Sequence, residues 1–474
     1  EEGPYELPGP RPDLRLLRKT YVEGSEWTLP LLSNKDGHFD LVLEDLSGLN
    51  LAEKTLELKA REIFYVGPED LGHIKLHKGS YGLKVRGPEE TAFDFKFEVL
   101  EPLSFSDDRI FVAPYPEGRP DGLGTWEVPL DLQTAIYRAY PGTHILLKAA
   151  TYTLDKAIEV PYGLDGEPQA RIQLSCPDGK AVLDFSGQGG PFILDASYWY
   201  LENLVIEHSG PDLAGLQIGG SYNLVQFTEV RSNGNTGLQI SAKETLERDL
   251  WPAHNRVRFC LSCDNKDPGQ NNADGFAAKI ACGEANLFEA CLSYNNIDDG
   301  WDLFSKLCVG IPGAVEIRYC LTAYNGHDFS GKLWADGNGF KLGGEGLPIP
   351  HKLSRSFSFA NDADGITSNS NPSVLVEDCV SVNNYGADYA IYGQGETAYG
   401  AELRSNIAGG GAEADLLPDH LGEDALRQKD PSCTTEELLE DWTREACRAY
   451  PEARDWLKEQ IEALKVRGIS REAF

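Results

Sequence analysis

The densest chemistry in the chain lies at Asp298-Asp299-Gly300-Trp301-Asp302. Two other segments carry the same pattern: Asp274-Gly-Phe before it, and Asn338-Gly-Phe-Lys341 after it. When the three are aligned on Gly, Asp302 and Lys341 share a position. In neighbouring, in-register parallel strands, such residues sit roughly 4.8 Å apart. The alignment therefore predicts that Asp274, Asp298, Asp299 and Asp302 converge beside Lys341. Four converging carboxylates cannot all stay charged without compensation. A hard divalent cation with oxygen ligands supplies it, and flexible carboxylate geometry favours calcium over magnesium. The spacing is not that of an EF-hand. The competing reading is a ladder of Asp and Asn side chains that only cap backbone groups.

A cation beside a lysine suits one reaction in particular. In a uronic acid polymer, a carboxylate adjoins C5 and makes its proton weakly acidic. A bound cation stabilises the charge that develops when that proton leaves, and the C4 glycosidic oxygen can then depart. Lys341 is the expected base. It would need desolvation or local positive charge to lose its own proton, while the carboxylates push the other way. Hydrolysis by paired Asp residues and water is the enzymatic rival, but the lysine in the same row favours elimination. A non-catalytic carbohydrate-binding adhesin is the third reading, and it would have no specific need of Lys341.

The elements that would position these residues are short and repeated. Gly215, Gly237, Gly275, Gly300, Gly339 and Gly365 each open an apolar segment, at intervals of 22, 38, 25, 39 and 26 residues. A second block alternates with the first: Cys260-Leu-Ser-Cys-Asp-Asn, Cys291-Leu-Ser-Tyr-Asn-Asn, Cys320-Leu-Thr-Ala-Tyr-Asn and Cys379-Val-Ser-Val-Asn-Asn. The shorter intervals match one coil of a parallel β-helix, and the longer ones match a coil with an inserted loop. Asn at a fixed bend suits left-handed geometry and bonds to local backbone. Leucine-rich repeats would demand regular Leu spacing and a near-constant period, which are missing.

The expected fold is thus all-β. Residues 1–110 read as a β-sandwich-like module, with alternating strands such as Phe39-Asp-Leu-Val-Leu-Glu and a Pro- and Asp-rich linker at 113–121. Residues 120–410 read as the β-helix, opened by a capping helix within Leu130–Tyr140. Residues 411–474 read as a linker and then a helix over 434–465, with Thr434 or Thr435 as its cap and Glu437 in the first turn.

The formal charge of −32 disfavours nucleic acid and anionic membrane as partners. No apolar run approaches a membrane span. The Cys residues of the repeat fall in apolar segments and read as small core hydrophobes, and the Cys260–Cys263 pair has no companion set for zinc. The chain begins at Glu1 without a Met, which reads as a processed or trimmed product in which a removed leader would not be seen.

Several segments together resemble polysaccharide lyase family 9, which includes pectate lyases and rhamnogalacturonan lyases. They are Ala273-Asp-Gly-Phe-Ala-Ala-Lys, Tyr294-Asn-Asn-Ile-Asp-Asp-Gly-Trp-Asp-Leu, Gly337-Asn-Gly-Phe-Lys-Leu-Gly-Gly and Ala363-Asp-Gly-Ile-Thr-Ser-Asn. The resemblance covers roughly residues 120–410 and leaves the first hundred unexplained. It implies a right-handed parallel β-helix, secretion or another extracytoplasmic location, and a calcium requirement. Residue by residue, it implies calcium ligands at Asp274, Asp298, Asp299 and Asp302 and a lysine base at Lys341. Lys279, Lys306 and Arg355 are further candidates to meet substrate carboxylates. Subsite loops are expected at 241–254, 266–273 and 326–337. The expected partner is an acidic polysaccharide, either homogalacturonan or the rhamnogalacturonan I backbone, bound by a monomer.

Overall fold

A computed structural model describes residues 13–24, 27–103, 108–242, 246–327, 336–393, 400–422 and 424–471. Among them, three parallel sheets of eleven, eleven and nine strands wind into one β-helix. Each coil contributes one strand per sheet, as in Asn286–Glu289, Leu292–Tyr294 and Trp301–Asp302. Parallel strands buried on one face and joined by bends need side chains that stack coil on coil. Phe276, Trp301 and Phe340 do so in the interior, with ring centroids 4.8 and 5.0 Å apart, close to the spacing of neighbouring strands. Cys260, Cys291, Cys320 and Cys379 belong to the same core, and all ten cysteines are free thiols.

The repeat glycines are explained by close approach rather than by backbone angle. A Cβ on Gly300 would lie 2.0 Å from Thr322 Oγ1 and 2.6 Å from the carbonyl oxygen of Gly339. The Ser of the second block faces this seam: Ser262 Oγ donates to the carbonyl of Gly275, and Ser293 Oγ to that of Gly300. Beside it runs an amide ladder. The Nδ2 of Asn233, Asn265, Asn296, Asn325 and Asn361 each donates to Oδ1 of the Asn in the next coil, ending at Asn384, whose Nδ2 donates to Asp388. These ladder residues are not the left-handed ones expected from sequence. Positive φ falls one residue earlier, at Ser232, Asp264, Asn295, Tyr324, Ala360 and Asn383. The bend turns at that residue, which leaves the following Asn free to point inward and bond across coils.

The β-helix begins at Arg109–Val112, which pairs with His144–Leu147 ahead of position 120, and its stacking continues to Leu426–Gln428, beyond 410. The segment 113–121, expected as a linker, is tied back by Gly118 N donating to Pro114 O and Arg119 N to Pro129 O. Helix α1 (Leu132–Tyr137), N-capped by Asp131, buries Leu132, Ala135 and Ile136 against the first coil. The N-terminal module comprises a five-stranded and a three-stranded sheet around its own core.

The expected single C-terminal helix is two. Helix α2 (Thr435–Ala449) starts in a Thr434–Glu437 capping box, and helix α3 (Arg454–Arg471) follows. Pro451 divides them: it cannot donate an N–H, and it forces Tyr450 out of helical geometry (φ −129°, ψ 72°). The pair lies on the flank of the β-helix, where Leu439, Trp442, Leu457, Ile461 and Leu464 cover Leu261, Leu292, Leu321 and Phe357.

Candidate active site

The nine-stranded sheet carries the site. Its strand Phe276–Ala278 pairs with Trp301–Asp302, and the latter with Phe340–Lys341. Because the aromatic of each strand turns inward, the next residue points outward, which puts Ala277, Asp302 and Lys341 in one exterior row. Asp302 and Lys341 are direct register partners, as the Gly alignment requires. At the preceding bend, Asp274, Asp298 and Asp299 are all buried, and one carboxylate oxygen from each lies within 4.8 Å of the other two.

Three buried oxygens in this cluster, Asp274 Oδ1, Asp298 Oδ1 and Asp299 Oδ2, accept no hydrogen bond from the described residues. The other oxygens of Asp299, Asp274 and Asp302 are engaged. Asp299 Oδ1 accepts from the backbone N and the Nδ2 of Asn338, both at 2.8 Å. Asp274 Oδ2 accepts from Thr236 Oγ1 at 3.1 Å and from Lys279 Nζ at 2.9 Å. Asp302 Oδ1 accepts from Phe304 N at 2.9 Å, and its Oδ2 from Lys279 Nζ at 2.8 Å. The backbone-capping alternative thus describes half of Asp299 and leaves three oxygens without a hydrogen bond from the described residues, of which Asp299 Oδ2 is ion-paired with Lys341. An oxygen-rich, anionic cradle of this kind fits a hard divalent cation. A second set of possible ligands, Asp184, Glu207 and His208, is more exposed and already engaged, through His208 on Asp184 and Arg231 on Glu207.

Charge in the cluster is strained in the expected direction. Burial pushes the Asp274 carboxyl up to about 7, with Asp302 and Asp299 adding to it against Lys279. Burial and the neighbouring Asp299 charge hold Asp298 well above the carboxylate range, and burial raises Asp299 too. Asp302 goes the other way. Burial would raise it, but Lys279 and Lys341 outweigh that and hold it below its ordinary value.

Lys341 Nζ stands 3.0 Å from Asp299 Oδ2, as an ion pair without hydrogen-bond geometry, and 3.6 Å from Asp336. Its ammonium also sits 5.7 Å from the Phe304 ring centroid. Burial would lower its pKa, but Asp299, Asp302 and Asp298 carry it well above its ordinary value.

Of the other candidates, Lys279 enters the cluster itself. Lys306 stands in the loop after Asp302, its carbonyl accepting from Val309 N and Gly310 N. Arg355 does not reach the site. It occupies the bend between Lys352–Ser354 and Phe357–Phe359, pairs with Asp378 at 3.4 Å, and its carbonyl accepts from Trp442 Nε1 of helix α2. Sequence distance misleads there, because one coil carries its bends to different sides of the prism. The loop 241–254, of which 243–245 lie outside the described residues, packs Leu246 and Trp251 against Leu32 of the N-terminal module. Most of loop 326–337 also lies outside the described residues. Thr236 and Asn338 were missed as site residues, although both precede a repeat Gly at the position Asp274 and Asp299 occupy.

The class of protein that fold and site define is a parallel β-helix with a buried carboxylate cradle beside a lysine on its outer face. The description of the Pel9A-like, right-handed β-helix family matches residues 110–406, and the chain belongs to that family. A pectate lyase L of Thermoclostridium stercorarium is 44% identical over 278 residues, 58% of this chain and 22% of that protein. A pectate lyase L of Paenibacillus polymyxa is 35% identical over 276 residues, 56% of this chain and 61% of that one. Among solved structures, the crystal structure of pectate lyase Pel9A superposes with a TM-score of 0.57 at 27% identity, covering 70% of this chain and 83% of its own. The chain spans about a fifth and about three fifths of the two curated relatives' lengths. Among the described residues, no helix is long and apolar enough to cross a membrane.

Proposed function

We propose that the chain is a calcium-dependent lyase that cleaves a galacturonate-containing polysaccharide, pectate or the rhamnogalacturonan I backbone, by β-elimination. The observation that carries this reading is the register pairing of Lys341 with Asp302 beside three buried carboxylate oxygens that accept no hydrogen bond from the described residues. Relatives named pectate lyase support the same chemistry.

Asp274, Asp298 and Asp299 would hold calcium through those oxygens, with Asp302 alongside. The ion, when bound, supplies positive charge against a substrate carboxylate and so favours loss of the adjacent C5 proton. It also offsets the negative field that keeps Lys341 protonated. Lys341, once neutral, takes the C5 proton; the electron pair forms the C4–C5 double bond as the C4 glycosidic C–O bond breaks. Phe304 faces the Lys341 ammonium, with its ring centroid 5.7 Å away. Lys306, in the loop after Asp302, would meet a further uronate carboxylate. A polymeric substrate would be met outside the cytoplasm, and we read the chain as acting there as a monomer.

Incubation with polygalacturonate and with rhamnogalacturonan I, each with calcium and with chelator, tests this. Ultraviolet absorbance of an unsaturated uronide should grow only with calcium. New reducing ends without that absorbance would mean hydrolysis, and binding without new ends would mean an adhesin.

A further inference from the structure

Asp302 has both oxygens hydrogen-bonded, whereas Asp274, Asp298 and Asp299 each keep one buried oxygen without a hydrogen bond from the described residues. Asp302 Oδ1 takes the Phe304 N–H, and its Oδ2 takes the ammonium of Lys279. That ammonium also donates to Asp274 Oδ2, so one lysine clamps carboxylates from two successive coils. Lys279 is mostly covered, at 14% side-chain exposure, while Asp274 is fully buried. The clamp is local in sequence: Lys279 follows the strand Phe276–Ala278 that Asp274 leads into, and Asp302 is the register partner of Ala277 in that strand. The Lys279 charge thus sits within the anionic cluster, on two of the carboxylates that a divalent cation would also draw upon, while Lys341 pairs with a third, Asp299. Two cations cannot share those oxygens without repulsion.

We propose that Lys279 is a tethered counter-ion: it holds Asp274 and Asp302 together while no divalent cation is bound, and it competes with that cation for them. Lys279 is then a positioning residue that sets how much calcium the site needs. This inference rests on the calcium reading of the cluster.

Calcium chloride titrated into the chelator-stripped full chain, followed by calorimetry, reads the competition directly. Lys279→Met keeps the stem and removes the charge, and its calcium Kd should fall at least about tenfold, while Lys279→Arg, which keeps the charge, should stay within about threefold of the unaltered chain. In chelator at neutral pH, Lys279→Met should also melt below the unaltered chain, since Asp274 and Asp302 lose their shared partner. An unchanged or higher Kd in Lys279→Met overturns the competition, and an unchanged melting temperature overturns the clamp. If Lys279→Met does not fold without calcium, the unaltered chain decides by reductive methylation read by mass spectrometry. Lys279 should then be modified faster in calcium than in chelator, and equal or slower modification overturns the proposal. Absence of any calcium binding by the unaltered chain would overturn the calcium reading and this proposal together, whereas binding indifferent to Lys279 overturns this proposal alone.

Discussion

Asp299, Asp302 and Asp298 push the Lys341 ammonium above its ordinary pKa against the effect of burial, the wrong direction for the base proposed above. Its usefulness as a base therefore depends on charge brought to the cluster. Lys341→Ala should lower turnover by orders of magnitude while preserving the fold and most calcium binding, because the C5 proton loses its positioned acceptor. Lys341→Arg should be nearly as poor, since a guanidinium keeps its proton far more strongly. Steady-state kinetics decides: intact turnover at saturation with a raised KM would make Lys341 a carboxylate binder. A second titratable residue, away from the site, affects the whole fold. His351 is fully buried, accepts the Val315 N–H on Nδ1, and burial pushes its pKa from 6.5 down to about 3. The folded chain keeps it neutral while the unfolded chain protonates it, so its contribution to stability is present above about pH 6.5 and is lost as pH falls towards 3. Between pH 6 and 4.5, denaturant midpoints of the unaltered chain should drop by up to about 1.4 kcal/mol per pH unit more than those of His351→Asn. Parallel slopes would show that His351 does not carry the acid sensitivity.

At the scale of the element, the coil is held by polar contacts that run along the helix axis. Asn296 Oδ1 accepts from both the N and the Nδ2 of Asn265, and its own Nδ2 donates to Asn325 Oδ1. Asn296→Ala strands those buried groups two residues from Asp298, and about 3 kcal/mol of stability should go with them. Gly300→Ala meets Thr322 Oγ1 and the Gly339 backbone at impossible distances, and should cost about 2–3 kcal/mol by forcing two coils apart. Chemical denaturation measures both. The Gly variant should also lose calcium affinity, because its neighbours Asp299 and Trp301 move with it. Much of this was legible beforehand. The recurring Gly, Ser and Asn repeat with the coil, so aligning them reveals Asp302 opposite Lys341. The left-handed residues were not legible: Ser232, Tyr324 and Ala360 share no type, because the bend selects a position and almost any small departure from ideal geometry is carried by the ladder beside it.

Across the whole molecule, the β-helix is a scaffold dressed on two sides. The N-terminal module docks through Leu32 on Tyr162, Leu246 and Trp251, and Arg61 Nη2 donates to the carbonyl of Leu246. It contributes none of the cluster's side chains. A chain starting at residue 108 should therefore fold and form product, with a lower melting temperature from the uncovered Trp251 patch. A start at 120 should be markedly less stable, since Ile110 and Val112 belong to the helix core. Paired melting curves and product assays test both, and a folded 108 start with no activity at any substrate concentration would make the module part of the catalytic machinery. Removal of helices α2 and α3 uncovers Leu261, Leu292, Leu321 and Phe357 together, and light scattering should report aggregation.

Sequence alone determined the coil, its register and the meeting of Asp302 with Lys341, because a parallel β-helix turns a linear repeat into a straight stack and leaves little else to decide. Tertiary structure decided what the repeat does not encode. It sent Arg355 to the flank beneath Trp442, because successive bends of one coil face different sides. It laid helix α2 over an outward row of Leu and Phe whose burial has no cause within the coil. It also put Lys279 between Asp274 and Asp302, since the reach of a long flexible side chain is settled only by which charges lie around it.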